Sequence, residues 1–264
     1  MYIDGFVAAV PQANKQAYLD HVHEALTLFK DHGAVRMVEN WADDVPEGKV
    51  TDFHRSVRKK DDEAVLFSWI EWPSREARDS GMKTMRQDER MKSMAMPFDG
   101  QRLIFGGFAP VVETGPAKGT GYADGFVVPV PAANRDAYVR MAQNASAVFK
   151  EYGALRVVEA WGDDVPDGKV TDFRRAVAAK DGEVIVFSFI EWPSKKARCS
   201  RPESAGHCPE RICDCDESTA SRGCCCRGRT WRIGRHRPAG SCIRRDRSGQ
   251  AASRGWLAWR VRRP

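Results

Sequence analysis

The chain has 264 residues and a formal net charge of +6, and this charge is distributed unevenly. Residues 199–264 contain 15 Arg, no Lys and 6 acidic residues, whereas residues 1–198 contain 27 basic and 30 acidic side chains. A slightly acidic body without a basic stripe argues against nucleic-acid binding. No apolar run approaches the ~18 residues that a membrane span needs, and no basic, apolar secretory leader opens the chain. All eight Cys lie at position 199 or beyond. We therefore expect a cytoplasmic protein with no membrane partner.

The sequence repeats itself with a period of 120 residues. Tyr2 aligns with Tyr122, and residues 2–78 share 44 of 77 positions with residues 122–198 without a gap. A period of this length indicates a duplicated domain rather than a solenoid. We expect a complete domain over residues 1–112 and a linker over 113–121, whose sequence ETGPAKGTG is rich in turn residues. A partial second copy follows over 122–198, and then a tail over 199–264.

The elements of the first copy can be predicted in chain order. YIDGFVAAV is predicted as a strand, and a helix runs from Pro11 and Asn14 to about Asp31. Three strands follow, AVRMVENWADDV, KVTDFHRSVRK and AVLFSWIEW, and then a helix from Ser74 to about Met94 and a last strand, RLIFGGFAPVVE. The order β-α-β-β-β-α-β predicts an α+β, ferredoxin-like domain with one additional strand. The second copy is expected to be truncated before its second helix and last strand.

Several long motifs resemble one known family. Both copies begin with similar segments, YIDGFVAAVP in copy 1 and YADGFVVPVP in copy 2. The other motifs are RVVEAWGDDVPDGKVTDFRRAV and VFSFIEWPS of copy 2, which extends to Arg198, and MPFDGQRLIFGGF of copy 1. They are similar to the bacterial YbaA-like family, a domain of unknown function. The resemblance implies the dimeric α+β barrel fold, in which two ferredoxin-like units pair their sheets. It predicts either a homo-oligomer or a pseudo-dimer of the two copies within one chain, and it implies no activity.

The densest polar motif is W-x-D-D-V-P-x-G-K-V-T-D-F, which both copies contain. Its carboxylates could bind a hard cation or act in acid–base chemistry, or they could accept local backbone hydrogen bonds in a turn. The pattern has no His and no EF-hand spacing, so the local structural interpretation is favoured and no metal is predicted. The candidate ligand-binding residues of this motif are Trp41, Asp43, Asp44, Asp52 and Trp161.

A Glu-Trp pair ends the apolar strand of each copy, as Glu71-Trp72 and Glu191-Trp192. A Glu beside a Trp in a barrel interior could serve as a base, so Glu71 and Glu191 are the candidate catalytic residues. The favoured alternative is a salt bridge with Arg55 or Arg175 across the sheet, with Trp as packing. Arg36 and Arg156 could anchor an anion or form ion pairs between strands. Trp72, Arg55, Arg175 and Trp192 complete the candidate ligand-binding set.

Other signals of chemistry are missing from residues 1–198. They contain no phosphate-binding Gly loop, no dinucleotide fingerprint, no HExxH and no Cys nucleophile, so no cofactor is predicted. Five Met cluster around the second helix, and we interpret them as adaptable packing rather than a metal site. These are Met82, Met85, Met91, Met94 and Met96.

The tail departs abruptly from the repeat after Arg198. A zinc module needs two suitably spaced pairs of ligands. Around His207, only Cys208 and Cys213 have such a spacing, so a zinc module is disfavoured. The tail has no Lys beside 15 Arg, and its Cys224–Cys226 run falls where copy 1 has the apolar segment that begins at Leu103. Both features fit a GC-rich gene translated out of frame. We predict that the tail is disordered or derived from a frameshift, which sequencing of the locus would test.

The sequence leaves three functional hypotheses. The first is a protein that binds or processes a small molecule in the barrel cavity, lined by Glu71, Trp72, Trp41 and Arg55. The second is a non-catalytic dimerisation or interaction domain. The third is an RNA-associated protein, a label that some members of the resembling family carry. Whether the protein is an enzyme stays open, because fold analogy cannot choose among these hypotheses.

Overall fold

The computed structural model describes residues 1–117 and 121–199, and the backbone of residues 257–262. Residues 118–120, 200–256 and 263–264 lie outside the described residues, and so do the tail cysteines beyond Cys199 on which the zinc, disorder and frameshift interpretations depend. In copy 1 the helices and strands are β1 (Tyr2–Pro11), α1 (Lys15–Asp31), β2 (Arg36–Asp44), α2 (Phe53–Ser56), β3 (Glu63–Trp72), α3 (Arg75–Met85), α4 (Glu89–Ser93) and β4 (Ile104–Thr114).

Copy 2 repeats this order as far as the structure describes it. Its elements are β5 (Tyr122–Pro131), α5 (Arg135–Glu151), β6 (Arg156–Asp164), α6 (Phe173–Ala176), β7 (Glu183–Trp192), α7 (Lys195–Cys199) and β8 (Leu257–Arg262). Helix α7 begins where α3 begins in copy 1. Strand β8 differs from the expectation of a disordered tail without a last strand, because its backbone pairs with β5 as β4 pairs with β1.

The eight strands close into one barrel within the single chain, in the order β1-β3-β2-β8-β5-β7-β6-β4. Each copy is a four-stranded antiparallel sheet, and the last strand of each copy pairs with a strand of the other, β4 with β6 and β8 with β2. The tandem ferredoxin-like, α+β barrel prediction is therefore confirmed. In this structure the two copies form the intrachain pseudo-dimer rather than pairing between chains.

The additional strand predicted for KVTDFHRSVRK is wrong. This segment forms a loop and the single turn of α2. Asp52 caps that turn, because its side chain accepts a hydrogen bond from the Arg55 amide at 2.8 Å. Arg58 then adopts a left-handed conformation with a φ of 49°, which ends the turn. The same geometry recurs in copy 2, where Asp172 caps α6 and Ala178 has a φ of 49°.

The predicted second helix is present but divided. Ser74 caps α3 by accepting a hydrogen bond from the Ala77 amide at 3.2 Å. The helix stops at Met85, and Asp88 caps the separate helix α4 by accepting from the Arg90 amide at 2.9 Å. The other helices and strands of copy 1 begin and end within about two residues of the predicted bounds. Within the described ranges, no helix is long and apolar enough to cross a membrane.

Aromatic rings from both copies fill the barrel interior. Phe67 stacks on Phe187 at 4.5 Å between ring centroids, and Trp69 stacks on Phe189 at 4.0 Å. Gly5 allows this contact, since a Cβ there would lie 2.7 Å from the Phe187 ring. Two further rings enter from the capped turns, Phe53 of α2 and Phe173 of α6. The interior is thus a shared hydrophobic core of the two copies.

Candidate functional site

A buried group of ion pairs lies across the junction of the two copies. Arg36 and Glu71 are opposite each other in the β2–β3 ladder, and Arg156 and Glu191 occupy the same positions in copy 2. The arginines also cross over: Arg36 donates to Glu191 at 2.5 Å, and Arg156 donates to Glu71 at 2.7 Å. The predicted ion-pair role of Arg36 and Arg156 is therefore observed, and Arg55 and Arg175 are not the partners of these carboxylates.

The electrostatics of Glu71 fit a structural carboxylate. Burial by itself raises the pKa of Glu71. The hydrogen bonds and positive charges of Arg156 and Arg36 lower this pKa by more than burial raises it, so the net pKa lies below the ordinary value. A carboxylate held ionised by two guanidinium groups is a weak base. Glu71 also accepts from the Trp69 indole at 3.0 Å. The arrangement favours the salt-bridge alternative over the catalytic one, for Glu71 in particular.

The paired Asp motif also connects the copies. Asp163 accepts from the Tyr2 hydroxyl at 3.1 Å and pairs with Arg75 at 2.9 Å. Asp164 pairs with Arg78 at 2.7 Å. In the reverse direction, Asp43 of copy 1 pairs with Lys195 of copy 2 at 2.8 Å. Asp44 lies beside Asp43 at the end of β2. Asp43, Asp163 and Asp164 therefore connect the two copies. Within the described residues, no group of three or more His, Cys, Asp or Glu could hold a metal ion.

The other predicted site residues occupy separate places. Trp72 and Trp192 lie on the outer face of the sheet, and their indoles donate to buried Asp4 and Asp124 at 2.9 and 3.0 Å. Arg55 and Arg175 are exposed and pair with the capping residues Asp52 and Asp172.

Trp41 and Trp161 are half-buried, and each packs edge-on against a tyrosine of the first helix of its copy. The four residues expected to line one cavity, Glu71, Trp72, Trp41 and Arg55, therefore do not converge. The stacked rings occupy the space in which that cavity was expected.

A cavity does exist in copy 1, on the opposite face of the sheet. It has a volume of about 300 Å³ and lies between β1, β2 and β3 on one side and α1, α3 and the α4 region on the other. Alternation along the strands explains its position, because residues 68 and 70 face the helices while residues 67, 69 and 71 face the barrel interior. Its wall includes six methionines: Met37, Met82, Met85, Met91, Met94 and Met96.

One carboxylate lies in this apolar wall. Glu39 of β2 is opposite Ser68 of β3 in the ladder, and the Ser68 hydroxyl donates to its Oε2 atom. The Tyr18 hydroxyl of α1 donates to the same oxygen at 2.6 Å. Among the described residues, no group donates to the other oxygen, Oε1. Burial raises the pKa of Glu39, and the two hydroxyl hydrogen bonds oppose this only in part.

His21 is the remaining polar residue of the cavity wall. It lies one helical turn after Tyr18 on α1, so both side chains face the sheet. Its Nδ1 atom is buried and has no hydrogen-bond partner among the described residues. Burial lowers the pKa of His21, despite a hydrogen bond to the Ala95 backbone. The imidazole is therefore neutral near pH 7.

The sequence interpretation missed this group, although a signal was present. Tyr18, Glu39 and Ser68 have identical counterparts, Tyr138, Glu159 and Ser188, which form the same hydrogen bonds in copy 2. Glu39 and Ser68 are polar residues on the sheet face that the helix covers, and both copies keep them together with Tyr18 of that helix, which points to a paired role across the sheet. His21 has no such counterpart, since Met141 takes its position.

The fold defines this chain as a single-chain dimeric α+β barrel, with its ion pairs between two fused ferredoxin-like copies. The chain belongs to the family described as "Protein of unknown function (DUF1428)", whose family model matches residues 1–100 and 121–204.

Relatives of about the length of one copy match part of this chain. The "Uncharacterized protein YbaA" of Escherichia coli K12 and that of Shigella flexneri are each 52% identical over 114 residues, which is 42% of this chain and 97% of theirs. Among solved structures, an anthrone oxidase-like protein has a TM-score of 0.43 and 15% identity, and the match covers 77% of this chain and 79% of that one.

Proposed function

We propose that this protein binds a small, mainly apolar molecule in the cavity between the sheet and the helices of copy 1. The observation that carries the proposal is the cavity of about 300 Å³, whose wall, in the described part of the chain, has four polar side chains, Tyr18, His21, Glu39 and Ser68. Small-molecule sites typically combine apolar walls with a few placed polar groups, and their volumes begin at about this size.

The methionines of the wall support a binding role. Met side chains are unbranched and polarisable, so they adapt to ligands of different shape. Met96 and Phe105 line the cavity and are 54% and 48% exposed, so the wall reaches the protein surface at these residues. A ligand entering there would cover apolar side chains that water otherwise contacts.

A cavity-filling substitution tests the proposal. Ala25 of α1 is buried and lines the cavity, so Ala25→Leu should fill part of it. The uncharged dye N-phenyl-1-naphthylamine should bind the full-length protein with enhanced fluorescence, and Ala25→Leu should weaken this binding at least 10-fold. The matched control is Ala145→Leu, the same change at the equivalent position of copy 2, which does not line the cavity.

Two results would contradict the proposal. Dye binding that Ala145→Leu weakens and Ala25→Leu leaves intact would assign the ligand to copy 2. Failure of the dye and of a fragment set to bind, or to raise the melting temperature of the wild-type protein, would leave the cavity without a binding role.

A further inference from the structure

The fully buried carboxylates of the described residues follow one rule, and the partly exposed Glu39 departs from it, as does its counterpart Glu159 in copy 2. Seven Asp and Glu residues are buried, and each forms a salt bridge with an arginine. They are Asp4, Asp52, Glu63, Glu71, Asp124, Asp172 and Glu191. Among the residues that the structure describes, Glu39 accepts only from two neutral hydroxyls, and no Lys or Arg lines its cavity. A carboxylate within a protein normally has a cationic partner, because removing an uncompensated charge from water is costly.

The polar side chains of the cavity offer a ligand hydrogen-bond acceptors but no free donors. The hydroxyls of Tyr18 and Ser68 both donate to Oε2 of Glu39, so neither proton is left for a ligand. The groups that remain are acceptors: Oε1 of Glu39 and the unpartnered Nδ1 of His21. A carboxylate or ketone ligand, which brings only acceptors, would find no donor among these side chains.

From these two observations we infer that the ligand is an apolar primary amine, bound as its ammonium ion with Glu39 as the counter-ion. The inference rests on the proposed function, because it names the ligand class of the same cavity. An ammonium group carries a positive charge and three N–H donors. It supplies the cation that Glu39 lacks and offers donors to Glu39 Oε1 and His21 Nδ1, while the hydrocarbon part of the ligand lies against the methionines.

Matched probes test the inference with the wild-type protein alone. 2-Phenylethylamine and 2-phenylethanol have nearly the same shape and differ in the charged group. Each is titrated into full-length protein at pH 7.5, by calorimetry and by displacement of the dye from the cavity. A hydrogen bond to a charged group contributes enough to predict that the amine binds about 10- to 100-fold more tightly than the alcohol.

A pair of variants assigns this preference to Glu39. Glu39→Gln keeps the side-chain size and removes the charge, so the amine should lose its advantage over the alcohol while the dye still binds. Glu159→Gln is the matched control, because Glu159 has the same Tyr and Ser donors in copy 2 but does not line the cavity. It should leave the preference unchanged.

The outcomes separate the two proposals. Equal binding of amine and alcohol to the wild-type protein, with the dye displaced by both, would overturn the amine inference and leave the cavity as a binding site. An amine preference that survives Glu39→Gln would overturn the assignment of the counter-ion. If neither probe nor the dye binds, the proposed function itself fails. Circular dichroism of each variant confirms that the comparison is made on folded protein.

Discussion

At the residue scale, Glu39 and Glu71 of copy 1 have opposite electrostatics. Glu71 is held ionised by arginines on both sides, whereas Glu39 is surrounded by apolar side chains and two hydroxyls. They lie on the neighbouring strands β2 and β3 of the same sheet, on opposite faces. Strand position alone therefore does not decide the role of a buried carboxylate; its partners from neighbouring elements do.

Removing the charge of Glu39 should stabilise the protein. Its pKa in the folded state is raised above the value of 4.5 expected for an unfolded chain. The folded state therefore binds more protons, and stability falls as pH rises from about 4.5 through the raised folded pKa. We expect Glu39→Gln to be more stable than the wild type by about 1 kcal/mol at pH 7, and the difference to vanish at pH 4. Urea unfolding at the two pH values measures this, and a destabilised variant at pH 7 would contradict it.

Removing the charge of Glu71 should have the opposite effect. Its folded pKa is lowered, so it contributes stability that is present above 4.5 and lost as pH falls through the lowered pKa. Glu71→Gln leaves the buried Arg156 and the partly exposed Arg36 short of one partner and should cost about 3 kcal/mol at pH 7. The exposed Glu76→Gln serves as the control. A cost below 1 kcal/mol at pH 7, in the same urea experiment, would show that Arg36 and Arg156 find other partners.

The candidate site could be predicted from the sequence only in part. The Glu-Trp pairs and the Asp motif are recognisable in the sequence as polar clusters. In the structure, their carboxylates form ion pairs between the two copies or cap short helical turns. Glu39 was not singled out, because its importance depends on which face of β2 the helices cover. Pairing of β2 with β3 and packing of α1 determine that face, and neither can be inferred from the residues of β2 alone. Comparison of the two copies was the available route to it.

At the element scale, most helices and strands follow from periodicity and caps, and the error at KVTDFHRSVRK has a local cause. The β-branched and aromatic residues of this segment favour a strand. Asp52, however, accepts hydrogen bonds from the Arg55 amide and the Gly48 amide, and so curls the chain into a turn. Phe53 then points into the barrel and packs against Phe67 at 5.7 Å between centroids. A capping carboxylate and one buried ring outweighed the strand propensity of the segment.

The packing of α3 on the sheet makes a prediction against helix propensity. Ala is a better helix former than Gly, by about 1 kcal/mol in an exposed helix. At Gly81, however, a Cβ would lie 2.4 Å from the His32 carbonyl oxygen and 2.8 Å from the Trp72 ring. We expect Gly81→Ala to destabilise the protein by about 1–3 kcal/mol in urea unfolding.

The neighbouring residue provides the control for this change. Ser80 is exposed on the same helix, so Ser80→Ala should be neutral or slightly stabilising. If Gly81→Ala also proved neutral, the close approach of α3 to α1 and to Trp72 would have to relax at little cost.

At the scale of the whole molecule, the stacked rings join the two copies into one folding unit. Phe187 of copy 2 contacts Phe67 and Phe108 of copy 1. Phe187→Ala should therefore cost about 3–5 kcal/mol and lower the stability of both copies together. Tryptophan fluorescence, which includes Trp69 of copy 1, and circular dichroism should report a single coincident transition at lower denaturant. Two separate transitions, with Trp69 unaffected, would show that the copies fold independently.

The α+β barrel could be anticipated from the family resemblance, whereas the resemblance did not decide whether it closes within one chain. The sequence allowed pairing within a chain or between chains. The deciding contacts join residues more than 100 positions apart, such as Arg36 with Glu191 and Tyr2 with Asp163. Association of this chain into larger oligomers stays a prediction, and its mass in solution tests it.

The crossed ion pairs have a consequence for how such a protein can evolve. When two identical chains pair, every mutation appears in both halves, and a change that improves one side burdens the other. In the fused chain this symmetry is already relaxed: Arg156 also binds Glu113 and is fully buried, while Arg36 remains 15% exposed. One half can therefore keep the contacts that hold the barrel while the other changes freely, as His21 has replaced, or been replaced by, the methionine found at position 141.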